Sequence, residues 1–378
     1  MWLTYSWWLG LALLAGLIAD WTGISISLIE ILVGVIAGNY LGFQTNDWVN
    51  FLGGVGSIYL TFLAGAEVDP VVLKSKFKES ITIGILAFIF PFAGAFAFTY
   101  FVAGWTLQAS EIAGIALSTT SVAVVYAVMV ESGLNESELG KIILAACFIN
   151  DLGTVLMLGI LFANYNKWML LFIVVTALIT GLMPSVTKEF FKVYGNKVGQ
   201  LEIKYLFFLV FLTGGLASMA NSEAVLPAYI LGLAVSGFFM KEKNLLFRMR
   251  SIVFAIFTPF YFLKAGLFVS IPGVISNILL IVILFLIKIA TKYIGVKPTT
   301  LMFKFSKREG TYTTLLMSTG LTFGTISAMF GLSHKIITVD QYTVLVTVVI
   351  LSAIIPTLIA ERFYRPETDN LIGGGENV

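Results

Sequence analysis

Four ionisable side chains lie deep within long apolar stretches of this 378-residue sequence: Asp151, Glu30, Lys264 and Lys288. A charge at the centre of a lipid bilayer costs at least about 2.5–3.5 kcal/mol, so such a residue is a functional candidate by default. A carboxyl group like that of Asp151 can bind a proton or a hard monovalent cation, but not both at once. The alternative is a structural carboxylate that pairs with a buried lysine.

Two runs of hydroxyl and glycine residues interrupt other apolar stretches. Such residues weaken helical propensity, and non-helical backbone is tolerated at membrane depth only where protein or a water-filled cavity satisfies it. Their hydroxyl and carbonyl oxygens could complete the coordination of Na⁺ at Asp151. The alternative is ordinary helix packing through small residues. The first run is Ser118, Thr119, Thr120 and Ser121, and the second, within 318–325, includes Thr319, Gly320, Thr322 and Gly324.

The elements that position these residues are predicted to be membrane-spanning helices. Hydrophobic residues make up 58% of the chain and charged residues 12%, which excludes a soluble domain, and the net charge of +2 gives no reason to expect a nucleic-acid partner. Since a span needs about 20 apolar residues, we predict an all-α polytopic membrane protein of about 13 helices. The predicted spans are 5–22, 25–43, 48–66, 80–102, 110–131, 141–164, 168–187, 203–220, 225–240, 250–270, 274–295, 311–331 and 341–361.

Basic residues give the orientation of these spans. Lys and Arg collect on the connections that follow odd-numbered spans, whereas the connections that follow even-numbered spans hold only Lys167 and Lys335. Lys292, near the end of the eleventh span, is counted with the first group. Because Lys and Arg collect in the cytoplasm, we expect a multi-pass protein of the cell membrane with its N-terminus outside and its C-terminus inside. Residues 366–378 would form a short cytoplasmic tail.

The two interruptions fall in spans five and twelve. If 5–164 and 203–361 are six-helix repeats joined by a linker helix at 168–187, the breaks occupy the same place in each repeat. The odd offset of seven spans inverts one repeat relative to the other. Paired breaks in inverted repeats point to a transporter's binding site near the midplane. We therefore expect one transporter domain, 1–365, in which Asp151 faces the breaks and exchanges a cation for a proton by alternating access.

Four short motifs occur in this order along the chain: Leu60-Thr61-Phe62-Leu63-Ala64-Gly65-Ala66-Glu67-Val68-Asp69-Pro70, Leu117-Ser118-Thr119-Thr120-Ser121, Phe148-Ile149-Asn150-Asp151, and Pro259-Phe260-Tyr261-Phe262 with Gly266. With them, the chain resembles the monovalent cation:proton antiporter-2 family from about residue 8 to 360. That family includes bacterial sodium/proton antiporters of the NhaA-like fold and Kef-type potassium efflux systems. A Kef-like potassium efflux transporter or channel is therefore the alternative function.

The resemblance implies a homodimer in which a core domain moves like an elevator. It also implies that Asp151 is the carrier carboxylate, that Thr120 lies near the ion, and that Lys288 faces the acidic site. Three positions depart from the family pattern. Asn150 stands where an aspartate is common, Val122 replaces a proline, and Lys264 occupies a site that is usually small or apolar.

Asn150 is a candidate ion ligand beside Asp151, and Lys288 and Lys264 are the candidate charge partners of the site. Asn150 also bears on the stoichiometry. One titrating carboxylate exchanges about one proton per monovalent cation and moves no net charge, so we predict electroneutral exchange, which a proton released by Lys288 could overturn. An intramembrane aspartyl protease would need two carboxylates in one site, and we expect no enzymatic activity and no cofactor. The expected partners are a monovalent cation, Na⁺ first, together with protons and the lipid bilayer.

Overall fold

The computed structural model describes residues 2–68, 76–132, 134, 137–162, 167–195, 199–220 and 224–366. All regular secondary structure in these ranges is helical, so the predicted all-α fold is confirmed. The α-helices are α1 Trp2–Thr22, α2 Ile26–Tyr40, α3 Asp47–Ala66, α4 Phe77–Phe101, α5 Leu107–Ser118, α6 Val122–Glu131, α7 Glu138–Leu161, α8 Lys167–Tyr194, α9 Leu201–Met219, α10 Val225–Phe239, α11 Lys243–Ile252, α12 Thr258–Leu267, α13 Ile271–Ser276, α14 Ile278–Met302, α15 Lys307–Met317, α16 Thr322–Ser333 and α17 Val339–Ile359. Two π-helical turns, Val253–Phe257 and Ala360–Tyr364, join or extend these helices.

Ten helices or continuous helix pairs in the described ranges are long and apolar enough to cross a membrane. Two shorter apolar helices, α2 and α10, and the broken pair α5–α6 account for the remaining predicted spans. Three boundaries differ from the prediction by seven residues, and the first is the end of α8, which continues to Tyr194. The tenth span starts at Lys243, and α14 continues to Met302, so it includes residues that we had assigned to a cytoplasmic connection.

Both predicted interruptions are present as breaks between two short helices. Thr119 is extended, with φ −63° and ψ 153°, and ends α5. Leu321 has φ −142° and ψ −74°, and α16 starts directly after it. The second break is shorter than the sequence suggested, because Thr322 to Thr325 already belong to α16. The outer ends are capped: Ser306 and Glu309 form a capping box at the start of α15.

The chain divides into two compact units. The first comprises 1–15, 44–71 and 155–264. Its core lies between α3 and α10, where Gly65 and Gly232 permit close approach because a Cβ on either would overlap the backbone of the other helix. Beyond the end of α3, Glu67 accepts a hydrogen bond from Arg250.

The second unit comprises 16–43, 72–154 and 265–378, and it holds both broken helix pairs. Here α4 packs against α5 and α14, and α5 packs against α16. Gly295 permits the contact of α14 with α4, since a Cβ on it would lie 2.8 Å from the Leu86 carbonyl oxygen, and Gly84 permits a close approach of α4 to α7, since a Cβ on it would overlap Ile149. The arrangement of the chain as two inverted repeats in one domain stays a prediction. Residues 367–378, most of the predicted tail, and Asp69 and Pro70 of the first motif lie outside the described residues.

Candidate functional site

The two helix breaks meet inside the second unit. The Thr120 hydroxyl donates to the carbonyl oxygen of Met317, at the end of α15, over 2.8 Å. The Ser121 amide donates to the Thr319 hydroxyl over 3.4 Å. Groups freed by the interruption of one helix are thus satisfied by the other helix, as membrane depth requires.

Two glycines bring the breaks together at Thr119. A Cβ on Gly324 would lie 2.9 Å from the Thr119 hydroxyl oxygen and 3.0 Å from the Ala116 carbonyl oxygen. A Cβ on Gly320 would also lie 2.9 Å from the Thr119 hydroxyl oxygen. A side chain at either position would push α15 and α16 away from α5. Glycine at both positions therefore allows the two breaks to cross in close contact.

Asn150, on α7, fastens the first break. Its Oδ1 accepts a hydrogen bond from the Thr120 amide over 2.9 Å, and its Nδ2 donates to the Ser118 carbonyl oxygen over 3.2 Å. The amide side chain therefore links both sides of the interrupted backbone and is fully buried. These two hydrogen bonds give Asn150 a positioning role at the first break.

Asp151 lies beside this link with its side chain almost completely buried, 1% exposed. Its Oδ1 has no hydrogen-bond partner among the described residues. Buried carboxylates normally have partners, so this oxygen is available for a proton or a cation. The helix that carries it also places it within electrostatic range of Lys292.

Lys292 is the residue that the sequence analysis missed. It lies inside the predicted span 274–295, close to the cytoplasmic end, and the charge distribution groups it with the cytoplasmic lysines, but its side chain is fully buried. Its Nζ donates to the Ser118 carbonyl oxygen over 2.7 Å and to the Thr120 hydroxyl over 3.1 Å. A positive charge at the carboxyl end of α5 is favourable because the helix dipole is negative there. The sequence signal that could have identified Lys292 is its position four residues after Lys288, about one turn further along the same helix.

Lys288 is also fully buried, and its Nζ has no hydrogen-bond partner among the described residues. The amine fills the space over Gly320, where a Cβ would overlap it. It lies within electrostatic range of Lys292. Of the two lysines, Lys292 therefore makes the hydrogen bonds that hold the first break, and Lys288 lies against the second.

The other candidates lie in different surroundings. Glu30 is 2% exposed on α2 of the second unit. Lys264 belongs to the first unit, where its Cδ would be 3.4 Å from a Cβ on Gly53. Ser118 and Thr319 are fully buried at the breaks, whereas Thr322, the first residue of α16, is only partly buried.

The resulting centre contains one carboxylate, two amines and several hydroxyl and carbonyl oxygens. Oxygen ligands of this kind suit hard cations such as Na⁺. Among the described residues, no group of three or more His, Cys, Asp or Glu side chains could hold a metal ion. The donor set that the described part of the chain brings together here is therefore one carboxylate with neutral oxygens.

Comparisons with known proteins agree with this chemistry. The family described as "Sodium/hydrogen exchanger, transmembrane" matches residues 9–363. The chain is 26% identical over 351 residues to a protein named probable Na(+)/H(+) antiporter 3 of Methanocaldococcus jannaschii, covering 90% of this chain and 89% of that one. It is 29% identical to the Na(+)/H(+) antiporter of Enterococcus hirae, covering 89% of this chain and 91% of that one.

A solved structure shares the fold. The sodium proton antiporter MjNhaP1 from Methanocaldococcus jannaschii at pH 8 superposes with a TM-score of 0.71 at 16% identity, covering 97% of this chain and 99% of that one. The resemblance to cation:proton antiporters seen in the sequence is confirmed. This chain is a member of the transmembrane sodium/hydrogen exchanger family.

Proposed function

We propose that this protein exchanges Na⁺ for H⁺ across the cell membrane by alternating access, with Asp151 as the single carrier carboxylate. The observation that carries the proposal is the buried Asp151 Oδ1, which has no partner among the described residues and lies beside the crossing of two broken helices. The sodium/proton antiporter names of the relatives cited above support Na⁺ over K⁺ as the substrate. They favour exchange over a Kef-like efflux system or channel.

Exchange follows from competition at one group. On one side of the membrane Asp151 releases its proton and binds Na⁺, and on the other side a proton displaces the ion. Oxygens of Thr119, Thr120 and Ser121 can complete the shell of the ion, since hydroxyl oxygens that donate one hydrogen bond retain lone pairs. Asn150 keeps the backbone at the break in place throughout.

Lys292 stabilises the site in both states. Its ammonium group holds Ser118 and Thr120 whether Asp151 carries a proton or a cation. If Lys292 keeps its proton, each turnover moves one proton against one monovalent cation. The cycle is then electroneutral, because only Asp151 changes its occupancy.

Alternating access requires the site to face each side of the membrane in turn. We assign this movement to the unit that holds both breaks, which would move as one body in an elevator mechanism within a homodimer. The distribution of basic residues supports a cytoplasmic C-terminus. Such an exchanger would contribute to pH homeostasis of the cell.

The test is cation-driven proton movement in proteoliposomes that contain a trapped pH dye. Wild type, Asp151→Asn and the matched control Asn50→Ala, an exposed position on α3, are each given Na⁺, Li⁺ or K⁺. We expect Na⁺ to collapse the pH gradient with wild type and Asn50→Ala but not with Asp151→Asn. A clamped membrane potential should not change the rate.

Three results would each contradict a part of the proposal. Exchange by folded Asp151→Asn would show that another group carries the proton. A current on addition of Na⁺ would exclude the electroneutral cycle while leaving exchange itself intact. Proton movement driven by K⁺ alone would favour the Kef-like alternative.

A further inference from the structure

A cavity of about 270 Å³ lies in the first unit, away from Asp151 in the chain and in the fold unit that does not carry the helix breaks. It is formed by the carboxyl end of α8, the start of α9 and the turn between α10 and α11. These segments belong to the basic connections that we assign to the cytoplasmic side. The cavity is therefore placed at the headgroup level of that leaflet.

Three basic side chains line the cavity: Lys188, Lys192 and Arg248. Arg248 is fixed by hydrogen bonds to Gln200 over 2.8 Å and to Glu202 over 3.0 Å, and the second of these is an ion pair. Glu202 and Arg248 thus balance each other's charge. Lys188 and Lys192 form no hydrogen bond or ion pair with another described residue, so two uncommitted ammonium groups on successive turns of α8 face the space.

The remaining lining combines one acid with an apolar floor. Glu242 is the other carboxylate at the cavity. Phe191 and Phe238 meet edge to face with their ring centroids 4.8 Å apart. The balance of the free charges is positive, and the aromatic floor is suited to the glycerol and upper acyl carbons of a lipid.

A line of residues without long side chains runs along the exposed side of α8 from Lys188 toward the middle of the helix. Ala177, Gly181 and Pro184 precede Lys188 at intervals of four, three and four, so they lie on the same side of the helix, and all are exposed. A Cβ on Gly181 would have no atom within 4 Å. The exposed face therefore offers a shallow path for an acyl chain.

We propose that this cavity binds the phosphate of an anionic phospholipid from the cytoplasmic leaflet, with Lys188 and Lys192 on the phosphate and an acyl chain along Ala177 and Gly181. Basic pockets between transmembrane helices on this side bind anionic headgroups. Arg248, already oriented by Gln200 and Glu202, adds a third donor group at the rim. This site is independent of the exchange that we propose at Asp151.

The test uses the full chain, purified, delipidated and titrated with phosphatidylglycerol, phosphatidylcholine or inorganic phosphate, with binding followed by native mass spectrometry. We expect wild type to prefer phosphatidylglycerol. The double variant Lys188→Gln with Lys192→Gln should weaken its binding about thirtyfold, which corresponds to about 1 kcal/mol for each lysine. The binding of phosphatidylcholine should not change.

The control removes the same charge elsewhere at the basic end: Lys304→Gln with Lys307→Gln, two exposed lysines. This control should bind phosphatidylglycerol like wild type. Gly181→Leu, which keeps every charge, should weaken both lipids by filling the path of the acyl chain. The folding of the double lysine variant is judged by its unfolding midpoint without lipid. If that variant does not fold, Gly181→Leu provides the test.

Three outcomes would overturn the proposal. Equal affinity of wild type for the two lipids would show that the lysines do not read the headgroup charge. An equal loss in the control variant would show a general effect of net charge. Displacement of phosphatidylglycerol by an equal concentration of inorganic phosphate would show that the cavity reads a free anion rather than a lipid.

Discussion

Asn150 provides the sharpest test of how the site is built. The structure uses its Oδ1 to accept from the Thr120 amide and its Nδ2 to donate to the Ser118 carbonyl oxygen. Asn150→Ala removes both bonds. The Ser118 oxygen keeps its bond from Lys292, whereas the buried Thr120 amide loses the acceptor that the structure gives it, at a cost of about 1–3 kcal/mol.

Asn150→Asp separates position from charge. A carboxylate there would accept from Thr120 but would place an oxygen against the Ser118 carbonyl oxygen, where the amide now donates. A protonated carboxyl group restores the donor. We therefore expect the added carboxyl group to retain its proton, so that the variant is more stable than Asn150→Ala and its exchange remains electroneutral.

The assay combines denaturant unfolding of the purified variants with exchange in proteoliposomes at clamped membrane potential. Asn50→Ala, on the exposed face of α3, is the control and should change stability by less than about 0.5 kcal/mol. If Asn150→Ala unfolded at the same midpoint concentration of denaturant as the wild type, the positioning role of Asn150 would be refuted. A Na⁺-driven current through Asn150→Asp would show that the added carboxyl group titrates freely, and the reasoning about Ser118 would be wrong.

Three further predictions follow from the same contacts. Lys292→Met removes the two hydrogen bonds that the buried ammonium group donates, so the free energy of unfolding should fall by about 1.5–3 kcal/mol and the exchange rate should fall more than tenfold. The control Lys297→Met, on the same helix, should keep most of the exchange. Equal exchange rates for the two variants would contradict this prediction. Gly320→Ala should impair exchange because the added methyl group overlaps the Lys288 amine. In a double-mutant cycle, adding Lys288→Ala should recover part of this loss. Strictly additive losses would argue against a clash between the two side chains. Because H⁺ and Na⁺ compete for Asp151, the apparent KM for Na⁺ should rise about tenfold for each unit that the pH falls below the pKa of this carboxyl group, and a KM independent of pH would exclude competition at one site.

The membrane class and the two helix breaks could be predicted because their signals are local. An apolar run long enough to cross a bilayer predicts a membrane-spanning segment, regardless of the helices that it packs against. A cluster such as Ser118 to Ser121 weakens a helix wherever it lies. The structure interrupts both helices where the sequence indicated, although the second break, between Met317 and Thr322, is shorter than its run of polar residues.

Contacts between breaks and distant helices could not be read from the sequence. Asn150 was grouped with the ion ligands because of its neighbour Asp151, and only the fold shows that it is bonded to the backbone on both sides of the first break. Lys292 was assigned to a cytoplasmic connection because basic residues at the end of a span are normally there. Its burial follows from the packing of α14 against α4 and α15, which a span boundary does not reveal.

The hydrogen bonds of Lys292 change what the charge of the site means. If Lys288 had been the lysine that holds the break, its release of a proton would also have released the Ser118 and Thr120 oxygens. In the structure Lys292 makes those bonds, and Lys288 has no bond to lose among the described residues. A change in the protonation of Lys288 would therefore alter the charge of the site without dismantling it. The electroneutral cycle that we propose requires Lys292 to keep its proton throughout turnover, so that only Asp151 changes its occupancy.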